Sequence, residues 1–255
     1  MPFDTDSSLS RRSLLLGAAG AALTLPGAAS AEAEIVEFVP PMVSDISVYT
    51  AYVPTACKTS QFYWYTCEFD AAWTIFRTFD VHAPFLDQLS IIGVDDRIEP
   101  YYEDTAEGTV IWGGDIGQLW SGDYTKNLFA RTTGTAFRKV FKAYGMQTGR
   151  VKSRRGIRHY LDQGWPIWIK TTVDFKPWMQ VTWITPEGNR YPVVLGNDHA
   201  VVIIGYNRDV VVIRDVLGPT DTNWGRPYEY EVDWATFYAC WEANGKDGLA
   251  VGPPR

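Results

Sequence analysis

Among its 255 residues the chain has three cysteines, three histidines and four methionines. Cys57, Cys67 and Cys240 lie far apart, with no close C-x-x-C pair, so neither a structural zinc site nor a disulfide-dense scaffold is expected. A basic surplus is also missing. The formal net charge is -7, which disfavours nonspecific nucleic-acid binding as the main task. The one basic stretch, RKVFKAYGMQTGRVKSRRGIR at 138–158, reads as a solvated helical face. WGGDIGQLWSG at 112–122 is glycine-rich but lacks the lysine of a phosphate cradle and reads as a turn-rich surface loop. No calcium, flavin, haem or nucleotide signature occurs, so no cofactor and no metal is expected. No solenoid repeat or low-complexity linker divides the chain.

What is present begins with an amino-terminal export pattern. Arg11 and Arg12 precede an apolar run from Leu14 to Leu25, which is followed by the small-residue triplet Ala29-Ser30-Ala31. This predicts a twin-arginine signal peptide over 1–31, removed on export to the periplasm or the cell exterior. The run is glycine-broken and too short to span a bilayer, and no later stretch is long and apolar enough, so no membrane anchor is expected after cleavage. An extended segment is expected over 32–49, and one domain with two lobes over 50–255. In an oxidising compartment an odd cysteine count leaves at least one thiol unpaired. If Cys57 and Cys240 were bridged, the free thiol would be Cys67, but three connectivities are open.

From Cys67 the residues Phe69, Ala72, Trp73, Phe76 and Phe79 recur at spacings of three and four and predict a helix. Thr135–Tyr144 predicts a second, stopped at Gly145, and Ser153–Asp162 a third, capped by Ser153. Beyond Pro166 the runs IWIKTTV, WMQVTWI, HAVVIIGY and VVVIRDV read as strands. Helices followed by an antiparallel sheet is an α+β order.

Cys67 at a helix start is a candidate nucleophile, because free N–H groups and the helix dipole stabilise a thiolate there. Glu68 and Asp70 in the same turn oppose that anion. Of the three histidines, His82 and His159 look like boundary or surface residues, whereas His199 opens a strand and could serve as a base. If its own strand HAVVIIGY and the next, VVVIRDV, pair around a three-residue turn, partner numbers sum to 414 or 416, and Asp215 falls on the same sheet face as His199. It could then orient the imidazole. Gln61, with five residues between it and Cys67, could join the Cys67 N–H in polarising a carbonyl.

Gln-x5-Cys at a helix start, a distant His, and an Asp after fifteen more residues resemble the papain clan. Within it, DHAVVIIGYN...VVIRDVLGP, LDQGWPIWI and WATFYACW resemble the bacterial double-glycine-leader (bacteriocin-processing) cysteine peptidase-like domains, over roughly residues 50 to 251. The resemblance implies a papain-like α+β fold, a helical lobe followed by an antiparallel sheet lobe. It implies Cys67 as nucleophile, His199 as general base and acid, Asp215 as orienter and Gln61 as oxyanion donor, with a peptide or amide as substrate. Those domains usually carry Gly-Pro directly after the cysteine, where this chain has Glu68-Phe69. Two further readings stay open: a catalytically silent module binding a peptide or cell-wall glycan, and a structural domain with Cys67 in a disulfide.

Overall fold

The computed structural model describes residues 45–220 and 223–255, which belong to one unit. The expected signal peptide lies outside the described residues, as does 32–44 of the expected extended segment; the described end of that segment contains a 3-10 turn at Ile46–Val48. The elements then run β1 (Ala51–Tyr52), α1 (Cys67–Thr78), α2 (Phe85–Ile92), β2 (Tyr101–Thr105), β3 (Gly108–Trp112), α3 (Gly134–Ala143), β4 (Met146–Arg150), α4 (Arg154–Leu161), β5 (Ile167–Thr172), β6 (Gln180–Ile184), β7 (Arg190–Val194), β8 (Asp198–Tyr206), β9 (Val210–Arg214), β10 (Glu229–Asp233), α5 (Trp234–Ala243) and β11 (Gly248–Pro254).

The main sheet has the order β10-β9-β8-β5-β11-β4, with β1 also pairing β8, and all its pairs are antiparallel. It is covered on both faces, which is why its central strands read as unbroken apolar runs. Because side chains alternate along a strand, Ala200, Val202 and Ile204 of β8 pack in one layer with Phe69, Ala72 and Phe76 of α1 and Phe137, Val140 and Phe141 of α3. Val201 and Ile203 pack in the opposite layer with Ile157 and Leu161 of α4 and Phe237 and Trp241 of α5. A smaller sheet, β2-β3-β6-β7, has its own core of Ile111, Ile116, Val181, Trp183 and Val193, and its β3–β6 pair is parallel.

The three expected helices form. Gly145 takes the left-handed conformation (φ 74) that ends α3, and the Ser153 hydroxyl accepts from the Gly156 N–H at 3.1 Å to start α4. The helices-then-strands order is looser than expected, since β1 to β4 interleave with α1 to α3. The 112–122 stretch is turn-rich but internal: Ile116, Trp120 and Ser121 are fully buried, and the Trp120 ring lies 5.0 Å from Phe69. Aromatic mass there outweighs glycine content. All three cysteines are free and buried, so Cys57 and Cys240 form no bridge and Cys67 is not in a disulfide.

The register around His199 is set by an irregularity. Near the hairpin turn Tyr206 pairs Val211 and Gly205 pairs Val212, whereas Ile203 pairs Ile213 and Val202 pairs Arg214. The partner sum changes from 417 to 416 across Ile204. The turn is therefore even in length, which by itself would put His199 and Asp215 on opposite faces. The bulged residue restores the parity.

Candidate active site

Cys67 is the first residue of α1 and is 7% exposed. The loop ahead of it is pinned by Asp70, whose carboxylate accepts from the Phe62 N–H (3.0 Å) and the Thr66 hydroxyl (2.8 Å) and pairs with the Lys58 ammonium (2.5 Å). Burial pushes the Asp70 carboxyl up to about 6, against the pull of Lys58 and Thr66. Gln61 lies half-buried in this pinned loop, and no hydrogen bond joins it to Cys67 among the described residues. The Cys67 thiol donates to Glu68 Oε2 at 3.1 Å. Burial holds that thiol well above its ordinary value, and the Glu68 carboxylate adds to the effect while the Lys170 ammonium opposes it.

His199, the second residue of β8, and Asp215, just past β9, form a buried pair. Nε2 lies 2.9 Å and 3.0 Å from the two carboxylate oxygens. Asp215 also accepts from the Leu217 N–H (2.9 Å) and the Tyr230 hydroxyl (3.0 Å), and the Arg226 guanidinium stands 3.3 Å away. Burial works against its ionisation, but the His199 ring and Arg226 outweigh that and bring its carboxyl down to about 2. An ionised carboxylate only accepts, so the His199 Nε2–H donates to Asp215.

The two halves meet through a lysine. Lys170 on β5 binds Glu68 Oε1 at 2.6 Å and also binds Asp198 Oδ2. One ammonium thus touches the residue after Cys67 and the residue before His199. The Trp168 indole adds a bond to the Glu68 carbonyl at 3.0 Å. Alternation along β8 puts Asp198 in the α1 layer with Ala200, and His199 in the layer of Val201. The structure thus brings His199 to Asp215 and Cys67 to Glu68 but does not bring Cys67 to His199: among the described residues no hydrogen bond links the Cys67 sulfur to the His199 ring, and the thiol donates to Glu68 instead. His159 pairs instead with Gln163, at 2.9 Å on the outside of α4.

The sequence reading missed Lys170, Asp198, Arg226, Tyr230 and the Lys58–Asp70 clamp. One signal was available, a lysine inside IWIKTT, where a strand buried on both faces has no use for a charge. Arg226 and Tyr230 lie on a later loop and strand and carry no comparable signal. No group of three or more His, Cys, Asp or Glu that could hold a metal occurs among the described residues.

The thiol at a helix start and the buried imidazole–carboxylate pair on the adjoining sheet fit one family. A model of the Peptidase_C39 like family matches residues 55–249. The chain belongs to that family. Its membership covers every site residue discussed above. This C39-like chain is also similar to the uncharacterized protein YvpB of Bacillus subtilis (strain 168), 27% identical over 104 residues, which is 39% of this chain and 36% of YvpB. The match thus spans only about a third of that relative's length. In fold it is similar to the crystal structure of a Bacillus anthracis protein assigned to the C39-like peptidases, with a TM-score of 0.61 at 19% identity over 80% of this chain and 96% of the other. The fold is α+β and papain-like, as expected. The double-glycine-leader branch named from the sequence is narrower than the family that matches.

Proposed function

We propose that this C39-like protein is an exported thiol hydrolase that cleaves peptide or other amide bonds through Cys67, His199 and Asp215. The observation that carries the reading is the buried His199–Asp215 pair, with an ionised carboxylate at 2.9 Å and 3.0 Å from Nε2, at the end of the sheet where α1 begins. In this reading, which requires the His199 ring to reach round the end of β8 from the layer opposite α1, the thiol leaves Glu68 when substrate enters and its proton passes to His199 Nδ1. The thiolate attacks the carbonyl carbon, and the Cys67 N–H and the Gln61 side chain receive the developing oxyanion. As the C–N bond breaks, His199 returns the proton to the amine, leaving a thioester that water hydrolyses with His199 as base. The substrate class is peptide or amide, and its sequence preference is to be found by screening.

The test is turnover of a mixed peptide library by the mature chain, followed by mass spectrometry. Cys67→Ala should abolish cleavage, and His199→Ala should lower kcat/KM by roughly 100- to 10,000-fold, the range for a general base. Equal turnover by wild type and His199→Ala would sink the assignment.

A second reading has its own support: the thiol donates its hydrogen bond to Glu68, and it is held well above its ordinary value. A silent module that binds a peptide or cell-wall glycan fits that state. Ligand binding unchanged in Cys67→Ser, with no cleavage by wild type, would decide for it.

A further inference from the structure

Three buried charges sit where the fold calls for apolar residues. Every residue of β5 is buried, and Lys170 is in the middle of it; Glu68 is fully buried in the first turn of α1, and the Asp198 side chain is 6% exposed at the start of β8. Buried ions are costly unless paired and well bonded, and places where local rules are broken concentrate at functional sites. These three converge on one another, and two of them flank the residues assigned to the chemistry.

We propose that Lys170 is a positioning residue of the thiol site: by binding Glu68 and Asp198 at once, its ammonium fixes the start of α1 against the start of β8 and holds the Glu68 carboxylate where it accepts the hydrogen bond of the Cys67 thiol. The proposal rests on the hydrolase reading above. Charged and titratable groups face the bridge from each element around it. Cys67 and Glu68 come from α1 and Asp198 from β8, with His199 next to it on the opposite face of the strand. Arg131, ahead of α3, stands 3.9 Å from Asp198. Asp247, ahead of β11, accepts from the Lys170 backbone N–H through its carbonyl at 3.1 Å. The Thr132 N–H also donates to Glu68 Oε1, at 3.3 Å. When the thiol turns from Glu68 towards His199, Glu68 keeps the ammonium, so no buried charge is left unpaired. Without the ammonium, Cys67 would face a Glu68 carboxylate with no cation on it and an Asp198 left with Arg131 alone, and its thiolate would be disfavoured further.

The experiment uses the mature chain and follows iodoacetamide alkylation of Cys67 against pH, assigned by peptide mapping. Thermal midpoints and kcat and KM on a cleaved peptide are measured alongside. Glu68→Gln should alkylate at neutral pH at least about tenfold faster than wild type, the change expected from about one unit in thiol acidity. Lys170→Met should alkylate more slowly and unfold at lower temperature, and Lys170→Arg should lie between it and wild type. The triple variant Glu68→Gln, Lys170→Met, Asp198→Asn carries no unpaired ion. It should recover the thermal midpoint yet lose the wild-type alkylation profile and most of kcat, with KM little changed. A triple variant with a wild-type alkylation profile and kcat, or one that fails to fold, would make the bridge a folding feature and overturn the proposal. If no peptide is cleaved by wild type while the alkylation profiles still shift as stated, the hydrolase reading falls and the bridge stands.

Discussion

Asp215 accepts from His199, Tyr230 and the Leu217 N–H while Arg226 stands beside it. Its carboxyl is down at about 2 against an ordinary 3.8. A carboxyl depressed in the folded state contributes stability that is fully present above its unfolded value and is lost as pH falls through its folded value. That window runs from about pH 4 down to about pH 2. Asp215→Asn keeps the shape without the charge and should lose about 2 kcal/mol at pH 7. Acid titration followed by circular dichroism should show a flatter curve for the variant across that window; an unchanged slope would mean the pair contributes nothing to stability. Individual residue types were legible in the sequence: a rare cysteine at a helix start, a histidine opening an apolar strand, an aspartate in an apolar run. Their partners were not. Arg226 approaches from a loop eleven residues beyond Asp215, and no period or spacing connects the two.

At the level of elements, a period of three and four located α1 and α3, cap and stop residues located α4, and apolar β-branched runs located β5, β6, β8 and β9. The short α2, the exposed strand β2 and the closing strand β11 were not read out. Every residue of β2 is exposed, so no apolar alternation marks it. The bulge at Ile204 is also invisible in HAVVIIGY, since every side chain there suits either face. The same region makes a test. A Cβ at Gly205 would stand 2.9 Å from the Ala51 carbonyl oxygen and 3.3 Å from the Val212 side chain, so β1 can dock on β8 only beside a glycine. Gly205→Ala should push β1 away and cost about 1–3 kcal/mol in urea unfolding. The His199 ring resonance should be unmoved, because the His199–Asp215 pair sits at the other end of β8.

For the whole molecule, the sheet carries α1 to α3 on one face and α4 and α5 on the other. The leader is a matter of the chain rather than of the fold. We propose export through the twin-arginine route, and replacing Arg11 and Arg12 with lysines should stop it. N-terminal sequencing of the exported wild type should then begin at Glu32. Processed protein in equal amount from both would exclude that route. The sequence by itself determined the α+β class, the helix that begins at Cys67, and the strand pair that carries His199 and Asp215, because burial writes a local period or an unbroken apolar run that needs no knowledge of distant chain. Only the tertiary structure decided that Lys170 joins Glu68 to Asp198 and that the thiol donates to Glu68. It also decided that a bulge, rather than an odd turn, sets the parity of the His199–Asp215 pair. Each of these depends on groups brought together from remote parts of the chain, or on a one-residue slip in backbone pairing that leaves the apolar pattern unchanged.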